Sequence, residues 1–322
     1  MKRGVWLALC AASCQPPPPG GGGSGAELRI IAVDVGQGDC TLVIGPDGTT
    51  VLIDGGGIGR ADAVAAAVME ESKGRVDHVV VTHYDADHLA GLADFMLGPD
   101  RLANTADDGA PGAALWDYGD DHTCTSQTCE KWRQVSRGRV SVMEPGQELQ
   151  LGGVTMTCVA VNGALPDGSH VTTTDENSRS VAFLVEHGDF RAFLGGDLTG
   201  GGEGTADVET PVARYTGRVD LLKVDHHGSL TSTATPALAA WTPRAAVISA
   251  GTDNTYCHPS PTVMQRLEQS GPLLFATGEG ITATTSRCTA VTPWPPDSVR
   301  GSTVRVSAWA DGRMEVDGLA VP

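Results

Sequence analysis

Apolar positions along the chain fall into short β-branched runs separated by turn residues. Leu28 to Val33, Thr41 to Ile44 and Thr50 to Ile53 read as strands, the last two divided by Gly45-Pro46-Asp47-Gly48. Ala61 to Ser72 is alanine-rich and predicts a helix. Val76 to Val81 predicts a strand, and Leu89 to Leu97 carries helical spacing behind it. The polar, glycine-containing stretch from Pro99 to Lys131 reads as an insertion loop. Strands resume at Val140 to Met143 and Val154 to Val161, and a second polar stretch, Asn162 to Glu176, precedes strands at Val181 to Val185 and Phe190 to Leu194. Past a glycine-rich loop, Val219 to Val224 and Ala245 to Ser249 predict strands, Pro261 to Gln269 a helix, and the tail from Leu273 several short strands. Many strands, interspersed helices and no internal repeat predict two sheets covered by helices.

Composition narrows this picture. A chain of 322 residues with 40% hydrophobic and 19% charged residues can bury a substantial core and lacks the signature of disorder. Its formal net charge of -17 excludes a broad electrostatic attraction for duplex nucleic acid, so a polyanionic substrate would have to be held locally, by metal ions. At the N-terminus, basic Met1-Lys2-Arg3 and apolar Val5 to Ala12 lead into Ala11-Ala12-Ser13-Cys14, which is similar to a bacterial lipobox. The expected organisation is an export signal over 1–14, a Pro/Gly-rich tether over 15–26 and a folded domain over 27–322. A lipid on Cys14 would be the protein's contact with a membrane, at the cell surface or in the periplasm. A plain secretory signal is the alternative. Setting aside Cys10 and Cys14, six of the eight cysteines remain, an even set suited to an oxidising compartment. Cys124 and Cys129 close a short loop and are expected to pair, with Cys257 and Cys288 the next candidate pair.

The candidate chemistry lies in Thr82-His83-Tyr84-Asp85-Ala86-Asp87-His88. Four potential ligands, His83, Asp85, Asp87 and His88, follow an apolar strand, and they converge if the chain turns tightly there. Imidazole and carboxylate donors without thiolate suit zinc, manganese or iron. A solvated acidic loop capping a helix would show the same residue types. Further potential ligands follow other strands: Asp197 in Gly195-Gly196-Asp197, His226 and His227 in Asp225-His226-His227-Gly228-Ser229, and His258 in Asn254-Thr255-Tyr256-Cys257-His258-Pro259. With only 9 histidines in the chain, their repeated placement at strand ends points to one site along a sheet edge.

These motifs resemble the metallo-β-lactamase superfamily and, within it, the hydrolase domain of ComEC-type DNA-uptake competence proteins. The resemblance also rests on Asp34-Val35-Gly36-Gln37-Gly38-Asp39, Leu52-Ile53-Asp54-Gly55-Gly56, Asn177-Ser178 with Ser180, Leu222-Lys223-Val224 ahead of the paired histidines, and Ser249-Ala250-Gly251. It covers about residues 28 to 260. It implies an α/β fold, the αββα sandwich of two mixed sheets flanked by helices, with two divalent ions, zinc or manganese, at one edge. By motif, His83 and Asp85 hold one ion, Asp87 and His88 the other, and Asp197 bridges them. His227 completes the second set, with His226 competing for that role. Asp85 stands where the superfamily commonly has histidine, and the usual third histidine of the first ion is replaced by Asn177 or His170. The first position is thereby oxygen-rich, which favours manganese as a competitor to zinc.

The chemistry implied is metal-assisted hydrolysis. Asp87 would orient the attacking water and His258 would protonate the leaving group. Asn177, Ser178, Ser229 and His258 would hydrogen-bond the substrate, although the first three serve equally well as loop staples. Lys223 is expected to be structural, packed by its stem, and Asp34, Gln37, Asp39 and Asp54 to brace the site. The leading function is an exported phosphodiesterase or nuclease acting on short or single-stranded nucleic acid or a small ester. Hydrolysis of a lactone or β-lactam is the second class. A non-enzymatic surface lipoprotein that kept the fold is the third.

Overall fold

A computed structural model describes residues 25–102, 105, 107–119 and 126–322. The expected signal over 1–14, the tether as far as residue 24, and Cys124 with its expected bond to Cys129 lie outside the described residues.

The described chain first lays down six neighbouring strands of one sheet: β1 (Glu27–Ala32), β2 (Thr41–Ile44), β3 (Thr50–Ile53), β4 (His78–Val80), β5 (Ala114–Asp117) and β6 (Val140–Val142). β1 to β3 are antiparallel and joined by short turns. From β3 onward the pairs are parallel, so each connection must cross over, and α1 (Ala61–Ser72), α2 (Ala86–Leu97) and α3 (Gln127–Ser136) do so. A second sheet begins with antiparallel β7 (Glu148–Gln150), β8 (Thr155–Ala160), β9 (Ala182–His187) and β10 (Phe190–Leu194). A small hairpin of β11 (Gly200–Gly202) and β12 (Thr205–Asp207) follows. Parallel β13 (Leu221–Lys223), β14 (Ala245–Ile248), β15 (Leu273–Ala276) and β16 (Val299–Arg300) then extend the second sheet from β10. Their crossovers include α4 (Glu209–Thr216), α5 (Thr235–Trp241) and α6 (Pro261–Ser270). Finally β17 (Val304–Trp309), β18 (Met314–Val316) and β19 (Leu319–Val321) return to the first sheet, β17 pairing with β1 from Glu27↔Trp309 to Ala32↔Val304.

Alternation along the strands builds the layers. In β1, Leu28 and Ile30 enter the core between the sheets with Val43, Phe183, Val185 and Leu221, whereas Ile31 faces α1–α3 with Leu52, Val68, Leu92 and Trp132. On the outer face of the second sheet, Leu184, Phe193 and Leu222 pack against Val212, Trp241 and Leu267 of α4–α6. The result is the expected αββα sandwich. No helix among the described residues is long and apolar enough to cross a membrane.

Three expectations change. The stretch from Pro99 to Lys131 is not one insertion loop: it contains β5, parallel to β4, and the first half of α3. β5 has only four residues and ends on buried Asp117, whose carboxylate accepts from Tyr84 Oη at 2.8 Å and Trp132 Nε1 at 3.1 Å, so polarity hid a central strand. The second helix begins at Ala86 rather than Leu89, which puts Asp87 and His88 in its first turn. Helices α4 and α5, of 8 and 7 residues, are too short for periodicity to reveal, and each carries a proline near its start.

Candidate metal centre

The potential ligands lie beyond the carboxyl ends of parallel strands, where open α/β sheets leave a crevice. β4 delivers Thr82 and His83, and Asp85 is the N-cap residue of α2. From the second sheet, β10 delivers Asp197 and β13 delivers the paired histidines. The fit depends on close backbone contact. A Cβ on Gly38 would come within 2.1 Å of Asp87 O, so the β1–β2 loop lies against the first turn of α2 only because that residue is glycine. His226 and His227 both adopt left-handed backbone, with φ of 50° and 54°, and Gly228 follows at 78°. Such conformations cost about 1–2 kcal/mol each for a non-glycine residue. Here they turn two consecutive imidazoles toward the same cleft.

Three histidine Nε2 atoms converge on one carboxylate. His88 Nε2 lies 3.1 Å from Asp197 Oδ1, while His227 and His83 Nε2 lie 3.4 and 3.9 Å from Asp197 Oδ2. Asp87 is 3.4 Å from His227 Nε2, and Asp85 is 3.8 Å from His83 Nε2. The other nitrogen of each ring is engaged. Thr82 Oγ1 donates to Asp54 Oδ2 at 2.6 Å and so accepts from His83 Nδ1 at 3.0 Å. His88 Nδ1 donates to Asp54 Oδ2 at 2.8 Å, and His227 Nδ1 to the Ser249 carbonyl at 2.8 Å. In their neutral forms all three rings would therefore hold the tautomer that points an Nε2 lone pair into the cleft.

These residues fit divalent ions. His83 Nε2 is buried without a hydrogen-bond partner. Ligand atoms that share an ion at about 2.0–2.2 Å stand about 3–4 Å from one another, which is the spacing found here. Asp39, His88, Asp197 and His227 offer ligand atoms all within 4.8 Å of each other. Burial by itself would raise the Asp197 carboxyl, but the charges of His227, His88 and His226 outweigh it and hold the group well below the usual range. Burial would likewise lower His88, yet Asp197 and Asp54 raise it well above the ordinary imidazole value, and Asp197 and Asp87 raise His227. Divalent ions compete with those protons for the same atoms, so metal uptake releases protons.

Other expected residues divide. His226 Nε2 lies 3.8 Å from Asp197 Oδ2 and 3.4 Å from Asn177 Nδ2, on the open side of the cluster, while His227 is buried within it. His170 is exposed and paired in a bridge with Ala164, away from the cavity, so Asn177 and not His170 stands at the site. Ser178 is fully buried and bonds Asp175 Oδ1 at 2.9 Å and Thr199 Oγ1 at 2.5 Å. Ser229 bonds Thr231 Oγ1 at 3.1 Å. Both serines staple loops and do not line the cavity, against the expectation that they bind substrate. His258 lines the cavity, but burial, reinforced by the charges of His227 and His226, lowers it to about 3. The same surroundings disfavour its protonated form.

Among the expected braces, Asp54 fits as described, and Gln37 lines the cavity while accepting from Gly251 N at 3.2 Å. Asp34 is exposed and caps Gly36, without touching the cluster. Lys223 is more than a packed stem: its ammonium makes a 2.5 Å ion pair with Asp39 in the floor of the site. Sequence reasoning missed the cavity's rim of Ile58, Arg60 and Tyr256. Two of these follow the glycine run after Asp54, and the third sits two residues before His258, so proximity to motif residues was the available signal. Cys257 and Cys288 form the disulfide expected as the second candidate pair, while Cys40 and Cys158 are buried thiols.

Residues 33–100 match the family described as Metallo-beta-lactamase superfamily. The chain is 27% identical over 247 residues to Recombination protein 2 of Haemophilus influenzae, covering 75% of this chain and 26% of that protein. It is 26% identical over 265 residues to ComE operon protein 3 of Bacillus subtilis, covering 76% and 31%. Competence protein ComA of Neisseria gonorrhoeae is 24% identical over 254 residues, covering 78% and 31%. The match thus spans under a third of each relative's length. Among solved structures, YhfI from Bacillus subtilis, a metallo-beta-lactamase fold protein, superposes with a TM-score of 0.40 at 15% identity over 85% of this chain and 95% of that one. CmlA, a diiron β-hydroxylase from Streptomyces venezuelae, gives 0.44 at 14% identity over 77% and 52%. With its αββα layers and its matched motifs, the chain is similar to the metallo-β-lactamase superfamily over residues 33–100 and to the ComE, Rec2 and ComA competence proteins over about three quarters of its length.

Proposed function

We propose that the chain is an exported, binuclear metal-dependent hydrolase of phosphodiesters. The observation that carries this reading is the convergence of His83, His88 and His227 Nε2 on the Asp197 carboxylate at 3.1–3.9 Å. His83 and Asp85 would hold one ion and Asp87, His88 and His227 the other, with Asp197 shared. His226 and Asn177 face the first position. Two divalent ions supply a bound water of lowered pKa and neutralise charge developing on phosphoryl oxygens. Asp87, which lines the cavity, would orient the attacking water, and His258 would hydrogen-bond a substrate oxygen.

A site with Asp85 in place of a nitrogen donor is oxygen-rich, which supports manganese beside zinc. An oxygen-rich pair suits phosphoryl groups better than a β-lactam or lactone ring. The Cys257–Cys288 disulfide supports an oxidising compartment, in keeping with export. The deciding experiment crosses zinc and manganese with bis(p-nitrophenyl) phosphate, single-stranded DNA and a chromogenic β-lactam. Metal-dependent cleavage of the phosphodiesters is expected. Turnover of the β-lactam alone would transfer the site to ring opening, and turnover of none by metal-loaded protein would leave a non-enzymatic surface protein.

A further inference from the structure

The cavity over the metal centre, about 610 Å³, has two unlike parts. Its floor is carboxylate and imidazole. Its rim carries Ile58 and Tyr256, 79% and 59% exposed, and Arg60 lines the same cavity. Arg60 is the one lysine or arginine among the described residues lining the cavity, and its guanidinium pairs with no described carboxylate. That is notable in a chain with 39 acidic and 22 basic residues. Its position is defined: the guanidinium lies across Gly36, where a Cβ would come within 2.8 Å of it. Tyr256 continues a row of rings leading out of the cluster. His227 and His258 stack with centroids 6.4 Å apart at 26°, and His258 and Tyr256 at 6.0 Å and 19°. The buried Oδ1 of Asn177 and Nε2 of Gln37, both in lining residues, have no hydrogen-bond partner.

We infer that Tyr256, Ile58 and Arg60 form a nucleotide subsite, in which one unpaired base lies on the tyrosine ring and the adjoining phosphate meets the guanidinium. The inference rests on the phosphodiester reading and narrows its substrate to single-stranded nucleic acid. A flat base needs one open aromatic face, which Tyr256 provides. A quaternary ammonium headgroup needs a cage of rings and no nearby cation, whereas the described residues lining this cavity include one tyrosine and the Arg60 guanidinium. Duplex bases keep their faces covered by stacking and cannot use the ring. A single rim cation in an otherwise acidic chain limits the contact to few phosphates.

The test uses metal-loaded protein and a fluorescent six-thymidine strand with hydrolysis-resistant phosphorothioate linkages, set against a blunt hairpin duplex of the same linkage. Anisotropy should show the strand bound about 10-fold or more tighter than the hairpin. Tyr256→Ala should weaken strand binding by about 5- to 100-fold, with Tyr256→Phe restoring it. Arg60→Ala should weaken it by about 10-fold and reduce the slope of log affinity against log salt by about 0.7. Equal affinity for strand and hairpin, no strand binding by the wild type, or alanine variants that bind like the wild type would each overturn the subsite. So would tighter binding of p-nitrophenyl phosphorylcholine that is lost in Tyr256→Ala. Bis(p-nitrophenyl) phosphate, assayed on the same preparation, separates the two claims: strand binding without diester turnover sinks the phosphodiesterase reading and leaves the subsite standing.

Discussion

The two halves of the metal centre differ in how completely the protein builds them. Around the second position, His88 and His227 are buried, Asp87 is largely covered, and both rings are fixed through Nδ1 by Asp54 and the Ser249 carbonyl. Around the first, only His83 is enclosed. Asp85 has 49% of its side chain exposed, and His226 and Asn177 face the gap from the open side. An enclosed set of nitrogen and oxygen donors selects and retains its ion. An open, oxygen-rich set leaves room for substrate oxygen and binds its ion more weakly. On the two-ion reading, the asymmetry would give retention to one position and exchange to the other.

The contrast can be broken by removing what the positions share. Asp197→Asn should lower phosphodiester turnover by about 10³-fold or more while circular dichroism stays native, since the carboxylate faces both sets. Full activity in that variant would end the binuclear reading. Next in size is the difference between neighbours. His227→Ala should release metal from the second position, leaving about one ion per chain by elemental analysis, whereas His226→Ala should retain that ion and weaken only the first. Equal losses would erase the asymmetry. Asp54→Ala removes a partner of His88 and of Thr82, so titration with zinc should show affinity lower by about 10–100-fold. If the loss fell on one position alone, Asp54 would be serving one ring and not two.

The smallest effect concerns the turn that supplies both positions. Burial pushes Asp225 well above the usual carboxyl range, with the charge of Glu209 adding to the rise, and burial raises Glu209 to about 7. Burial thus holds on the folded pair a proton that the unfolded carboxyls release above about pH 4.3. Between that pH and about 7 the native state binds the additional proton. Its contribution to stability is complete below the window and disappears as pH rises through it. Relative to Asp225→Asn, the wild type should lose about 2–4 °C of Tm between pH 5 and 8 by scanning calorimetry. Parallel pH profiles for the two proteins would remove the proton on Asp225 from the account.

Much of this was legible in the residues. Strands β1, β2, β3 and β10 stand out because alternating or continuous β-branched runs end in strong turn residues, and the ligand motifs stand out because donors recur after those runs. What was hidden depended on tertiary context. β5 is short and ends on an aspartate that three-dimensional neighbours satisfy. The start of α2 at Ala86 was obscured because its first turn is made of ligands rather than apolar residues. Ser178 and Ser229 lie beside true site residues in sequence, yet their hydroxyls are consumed by Asp175, Thr199 and Thr231, partners that become near only through loop geometry. Arg60 carries no motif, and its place on the cavity lining comes only from the fold.

The Asp39–Lys223 ion pair, finally, joins the β1–β2 loop of one sheet to β13 of the other, directly beneath donors drawn from both. The metal centre is thus a seam between two halves of the sandwich rather than a pit in either. Any ion bound there is a cross-link between sheets, and its binding energy is also resistance to their separation. At free metal about 100-fold above a dissociation constant, each such ion adds about 2.7 kcal/mol to the folded state. A compartment poor in metal would therefore hold a protein more readily parted along that seam.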